Sequence, residues 1–211
     1  MKSFISEDDI EQAICNRLSL PEYGWKRIEC DARVEAQDDV STTGRANPSE
    51  CILPDVFLAA LKRLNPQVEE GVLQGILRNF RKDYTATDMV ETNYKLYNQL
   101  RNGIKKPVRK NGKEDFDIVR LIDFDHPERN DFHCVNQMWI KGHYRYRRPD
   151  VLLFVNGLPV VFIELKNSTV KVEESYNKNL TSYRKDIPNI FSFNQICVLS
   201  NGLQTKIGAW N

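Results

Sequence analysis

The sequence predicts an α/β protein: a mixed β-sheet flanked by helices, with an N-terminal helical part. Three observations carry that prediction. Up to about residue 104 the apolar residues recur at helical spacing, and beyond it they gather in short β-rich runs. Val151 to Val155, Asn156-Gly157 and Val160 to Ile163 then form the clearest hairpin signal in the chain. Its strands are apolar on both faces and are followed by a helix-compatible stretch, which suggests a sheet covered on both sides.

Taken in order, Ser6 is placed to cap a helix carrying Ile10, Ala13, Ile14 and Leu18. Residues 20–50 are polar and ambiguous, with loop signals at Ser41-Thr42-Thr43-Gly44 and Asn47-Pro48. Pro54 opens a second helix whose stripe is Val56, Phe57, Ala60, Leu61 and Leu64, and Asn65-Pro66 closes it. Helices over 68–82 and 87–101 follow, the second closed by Asn102-Gly103. Asn111-Gly112 between Val108 and Phe116 is a hairpin turn, and Phe116 to Phe124 and Phe132 to Ile140 are β-rich. Residues 172–186 are polar and helix-compatible, and Gln195 to Leu199 is a last strand, closed by Asn201-Gly202. The expected organisation is a helical part, 1–104, packed on a core at 105–211 as one compact unit.

Composition excludes several classes of function. The chain has 211 residues, 41% hydrophobic and 28% charged, which is globular and not disordered. No run approaches the roughly 20 apolar residues of a membrane span. Met1-Lys2-Ser3-Phe4-Ile5 runs directly into Glu7-Asp8-Asp9, so no signal peptide is expected. The five cysteines are widely spaced without C-x-x-C, which suggests neither a zinc site nor a disulfide framework. Reduced thiols in a cytoplasmic protein are the expectation. There is no G-x-S-x-G, and no G-x-x-x-x-G-K-[ST] through which this chain would bind ATP. The net charge of +1 excludes nucleic-acid binding by bulk charge alone. That charge is a cancellation: residues 1–55 hold 12 acids and 6 bases, whereas residues 101–148 hold 12 bases and 7 acids.

The strand from Val160 to Lys166 is anomalous. Strand side chains alternate, so Val161, Ile163 and Leu165 share one face and Val160, Phe162, Glu164 and Lys166 the other. An apolar strand that ends in an acid and a base places charge where burial is costly unless it is paired or holds a ligand. A hairpin turning at Asn156-Gly157 brings Asp150, at the start of the preceding strand, to the same edge of the sheet. Two carboxylates there suit Mg²⁺, which prefers oxygen ligands and activates bound water, and a lysine beside them can orient that water. The spacing alone is weak, because composition predicts about two [DE]-x-K matches by chance. From the residues alone, a Glu–Lys salt bridge with Asp150 as a turn residue fits equally well.

The surrounding residues are more specific. Arg148-Pro149-Asp150-Val151, Val155-Asn156-Gly157-Leu158-Pro159-Val160-Val161 and Ile163-Glu164-Leu165-Lys166-Asn167 resemble the PD-(D/E)xK nuclease domain of type I restriction enzyme R subunits. Leu121 to Phe124, Asn130 to Phe132 and Asn136-Gln137 are similar to the stretch before that core. Ile187 to Phe191, Phe193 to Gln195 and Ser200 to Gly202 are similar to the stretch after it. Ser6 to Glu11 resembles the subunit's opening helix. The likeness covers most of the chain and is weakest over 20–105.

The resemblance implies a restriction-endonuclease-like fold and Mg²⁺-dependent hydrolysis of double-stranded DNA without sequence specificity. Asp150, Glu164 and the backbone carbonyl of Leu165 would hold the metal, and Lys166 would be the catalytic lysine. The family's Q-x-x-x-Y motif finds its nearest match in Asn179 and Tyr183, on one helical face but with the shorter amide. Lys141, His143, Arg145, Arg147 and Arg148, interleaved with Tyr144 and Tyr146, lead into Asp150. Arg145, Arg147 and Arg148 would then bind phosphates, or else neutralise nearby carboxylates. Glu7 or Glu11 would add a carboxylate, or else be exposed acids that favour the helix dipole. Methyltransferase and specificity subunits are the implied partners. ATP is implied only for motor domains further along a longer chain, of which these residues would be the N-terminal part. A stand-alone repair nuclease and a non-catalytic docking module are the competing readings.

Overall fold

The computed structural model describes residues 4–84, 87–110, 113–172 and 179–210. Helix α1 (Glu7–Leu18) starts at a capping box: Ser6 Oγ accepts from the Asp9 amide at 3.1 Å, and Asp9 accepts in return from the Ser6 amide. Strand β1 (Lys26–Glu29) follows. The helical layer consists of α2 (Pro54–Leu64), α3 (Glu70–Phe80) and α4 (Met89–Asn102). Pro54 sits in the first turn of α2, and α4 ends at Gly103 with φ +75°, a conformation that favours glycine.

The strands are β2 (Ile104–Lys110), β3 (Lys113–Val119), β4 (Phe132–Asn136), β5 (Ile140–Lys141), β6 (Tyr146–Arg147), β7 (Val151–Val155) and β8 (Leu158–Leu165). After helix α5 (Thr181–Asp186) come β9 (Ile196–Ser200) and β10 (Thr205–Gly208). Among the described residues, one six-stranded mixed sheet has the order β1-β4-β7-β8-β9-β10; β2 pairs with β3, and β5 with β6. The β1–β4 and β8–β9 pairs are parallel, and the others in the large sheet antiparallel.

The alternation along β8 sorts the layers. Ile163 and Leu165 pack with Ile10, Cys15, Cys134, Val151 and Leu153 beneath α1. Phe162 packs on the opposite side with Leu152, Phe154, Leu180, Tyr183 and Phe191. Phe57, Leu61, Leu77, Phe80 and Leu96 form the interior of the helical layer, joined by Leu158 and Phe193. The α/β sheet flanked by helices is therefore present as expected. Among the described residues, no helix is long and apolar enough to cross a membrane.

Four details differ from expectation, each for a local reason. Residues 26–29 form a strand although only Ile28 is aliphatic, because an edge strand needs little apolar surface and β4 supplies the pairing. The chain does not end its sheet at β9: β10, exposed throughout, adds an antiparallel edge. The β-rich run 132–140 is broken after Asn136, where Gln137 has φ +59°. The run 116–124 ends at Val119 in turns stapled by Asn130 and Asp123. The turn at Asn111-Gly112 and residues 173–178 of the helix-compatible stretch lie outside the described residues. The strands flanking the former pair from Lys110↔Lys113 to Ile104↔Val119.

Candidate active site

The β7–β8 hairpin positions the site. Asn156 (φ +50°) and Gly157 (φ +79°) make its turn, and Val151↔Ile163 sets its register, so Asp150 and Glu164 leave the sheet side by side. The amide of Leu165 donates to Asp150 Oδ2 at 2.6 Å. Behind this pair, the Lys166 amide donates to Ser200 O at 2.8 Å, which anchors the strand end to β9. The amide of Gln137 donates to Asp150 O at 3.0 Å, which ties in β4.

Glu164 is only 2% exposed. Its Oε1 accepts from Lys166 Nζ at 2.9 Å and from Asn179 Nδ2, while Oε2 is buried without a hydrogen-bond partner among the described residues. Lys166 Nζ also donates to Leu165 O at 2.6 Å and lies 3.8 Å from Glu7 Oε2. Burial, and then the nearby charge of Glu164, push Asp150 up to about 8, against hydrogen bonding by the Leu165 amide and the charge of Lys166. Burial disfavours the charged form of Lys166, but Glu164, Glu7 and Asp150 outweigh it and raise that pKa. The Tyr183 phenol is raised by burial, by the charges of Glu164 and Asp150, and by its hydroxyl's interaction with Glu164. Negative charge is thus in excess here.

The structure brings Asp150, Glu164, Leu165, Lys166, Asn179 and Tyr183 together. Tyr183 OH donates to Arg148 O at 3.1 Å, two residues before Asp150. The three arginines separate. Arg147 is bound to Asp186, Nε at 2.7 Å and Nη2 at 2.5 Å, so its charge neutralises a carboxylate. Arg148 donates to Ala32 O and lies over Trp139 at 5.1 Å. Arg145 is exposed and has no ion pair among the described residues. The two acids of α1 also differ from simple dipole-stabilising surface groups. Glu7 faces Lys166 and accepts from the Asn167 amide at 3.3 Å. Glu11 is buried, accepting from Asn136 Nδ2 at 2.8 Å and from Gln137 Nε2. Its place four residues after Glu7, on the face carrying Ile10 and Cys15, was the available signal.

Among the described residues, no group of three or more His, Cys, Asp or Glu side chains is arranged to hold a metal. The candidate set is instead two carboxylates and a backbone carbonyl. It fits a hard divalent cation on two counts: all donors are oxygens, and the unpartnered Glu164 Oε2 and the raised Asp150 are both relieved by added positive charge.

The family described as type I restriction enzyme R protein N terminus matches residues 4–211. The HindI endonuclease subunit of a type I restriction enzyme from Haemophilus influenzae is 31% identical over 210 residues, covering 97% of this chain and 19% of that protein. A Methanocaldococcus jannaschii protein bearing the name of the MjaIXP endonuclease subunit is 33% identical over 173 residues, covering 78% of this chain and 16% of its own. The SsaAORF53P endonuclease subunit of Staphylococcus saprophyticus is 28% identical over 102 residues, 48% of this chain and 11% of its own. The chain therefore spans about a fifth or less of the length of these relatives.

Proposed function

The chain belongs to the family of type I restriction enzyme R protein N termini, and we propose that it acts as the nuclease of such an enzyme, hydrolysing phosphodiester bonds of double-stranded DNA. One observation carries the reading. Glu164, buried, and Asp150, half-buried, meet at a strand end where ionising both is costly, and one Glu164 oxygen has no hydrogen-bond partner among the described residues. A fold retains such an arrangement for stability only at a cost, so a ligand of positive charge is the economical explanation.

Asp150, Glu164 and Leu165 O are the groups that would hold Mg²⁺, with Glu7 as the next carboxylate. Bound there, the cation would polarise a phosphodiester and lower the pKa of a water. The protein's own part is positional. The Leu165 amide fixes the Asp150 carboxylate, and Asn179 fixes Glu164 Oε1. Lys166, kept protonated by its carboxylate neighbours, is placed to bear on charge developing at a phosphate oxygen. Contacts to phosphate at such a site carry no base information, so cleavage here would be sequence-nonspecific, with specificity supplied by separate methyltransferase and specificity subunits.

The test is Mg²⁺-dependent nicking of plasmid DNA by the protein and by its Glu164→Gln and Lys166→Ala variants. Nicking by the parent and loss of about 10³-fold in each variant is expected. Equal activity in all three proteins overturns the assignment.

A further inference from the structure

The β5–β6 hairpin is fixed at its base and bare at its tip. At the base, the Lys141 amide donates to Pro48 O at 2.9 Å, and the Gly142 amide to Arg145 O at 2.8 Å. Arg147 is held by Asp186, and Tyr146 OH donates to Asp38. Gly142 lies so close to helix α5 that a Cβ there would sit 1.7 Å from Asp186 O, so only glycine allows this docking. At the tip, Tyr144 is 88% exposed, more than any other large apolar side chain among the described residues, with His143 edge-on to its ring at 4.3 Å. Lys141, His143 and Arg145 are exposed around it, and no acid occurs from Phe132 to Pro149.

A hairpin anchored at its base that lifts an aromatic ring into water, beside a lysine, an arginine and a histidine, contributes nothing to the core. From the tip to Asp150 the chain runs six residues, at most roughly 20 Å. That is about six nucleotide steps along one strand of duplex DNA. The two arginines nearest Asp150 in the chain are engaged internally, and the tip is an exposed basic surface within six residues of that carboxylate.

We infer that the tip of the β5–β6 hairpin docks duplex DNA beside the cleavage site, with Tyr144 entering the minor groove and Lys141, His143 and Arg145 on the flanking phosphates. The inference rests on the nuclease reading of that site, and it assigns the DNA contact to residues different from Arg147 and Arg148. Phosphate contacts and an inserted ring carry little sequence information, which agrees with nonspecific cleavage.

Anisotropy of a fluorescent duplex, measured over a salt series, tests the inference. Tyr144→Ala is expected to weaken binding about tenfold with the salt dependence kept. Arg145→Ala is expected to weaken binding and to lower the slope of log affinity against log salt by about one. Both variants should keep the parent's thermal midpoint, since neither side chain touches the core. Salt-dependent duplex binding that is unchanged in both variants overturns the inference, as does the absence of duplex binding by the parent. Glu164→Gln, run alongside, separates the two readings. Hairpin-dependent binding without cleavage by the parent removes the nuclease and keeps the dock. Glu164-dependent cleavage with unaltered binding by the hairpin variants removes the dock and keeps the nuclease.

Discussion

The two ends of the β7–β8 hairpin are both buried and both polar, yet they are balanced in opposite ways. At the turn, Asn156 is fully buried and every polar atom of its side chain is used. Oδ1 accepts from the Asp131 amide at 2.8 Å, and Nδ2 donates to Leu121 O at 2.9 Å and Asn130 Oδ1 at 2.8 Å. Gly157 O accepts from the Leu53 amide at 2.9 Å, which locks the turn to the start of α2. At the other end, Glu164 keeps an oxygen without a partner and Asp150 is pushed up to about 8. Burial alone therefore does not separate the two ends; the balance of charge and of polar partners does. The turn end serves the fold, and the strand end is held in a costly state by the fold.

The largest effect that sharpens this contrast is at the strand end and on chemistry. Glu164→Gln is expected to lower nicking by about 10³-fold, roughly 4 kcal/mol of barrier. The same change should leave thermal stability equal or higher, because it removes a charge that Asp150 must otherwise tolerate. A lower midpoint would show that Glu164 is part of the structural accounting after all. Next is the turn end. Asn156→Ala removes three hydrogen bonds around a fully buried side chain, and a loss of about 3 kcal/mol in denaturant unfolding is expected. Nicking per folded molecule should persist. Gly157→Ala should act similarly, since its Cβ would lie 2.6 Å from Leu53 O at a positive φ.

The third effect is on pH. In the folded, cation-free protein Asp150 keeps its proton up to about pH 8, whereas unfolded it loses it near pH 4. The folded state then binds more protons between those values, so stability falls as pH rises through that window. Thermal unfolding in a chelator should show this as a falling midpoint across that window, absent in Asp150→Asn. A parent and variant with parallel pH profiles would remove the burial argument for Asp150.

Much of this contrast was legible in the residues. Asn156-Gly157 between apolar runs announced the hairpin, and the hairpin alone forced Asp150 toward Glu164. Ser6 and Pro54 marked helix starts because capping chemistry is local. What was not legible depends on partners distant in the chain. Lys26–Glu29 reads as polar, and becomes a strand only because Cys134 and Val135, over a hundred residues later, supply the ladder. Glu11 reads as a surface acid until Asn136 and Gln137 arrive from β4 to bury it. Arg147 reads as a DNA contact until α5 presents Asp186. Local chemistry survives in sequence; long-range pairing of polar groups leaves almost no periodic trace.

The smallest effect divides the Asn179–Tyr183 pair, which belongs to both kinds of accounting. Tyr183 is buried, its ring edge-on to Phe162 at 5.2 Å, and its hydroxyl donates to Arg148 O. Tyr183→Phe keeps the packing and removes the bond to Arg148 O together with the hydroxyl's interaction with Glu164, so a loss of about 1 kcal/mol in unfolding is expected. Asn179 instead gives its side-chain amide to Glu164 Oε1, and among the described residues that is its side chain's hydrogen bond. Asn179→Ala is expected to lower nicking by about tenfold with little change in unfolding, because the lost bond oriented a carboxylate and not a strand. If both substitutions moved stability and activity together, the two ends of the hairpin would no longer be separable at this helix. Opposite responses would place the boundary between structural and catalytic polar groups inside a single helical turn.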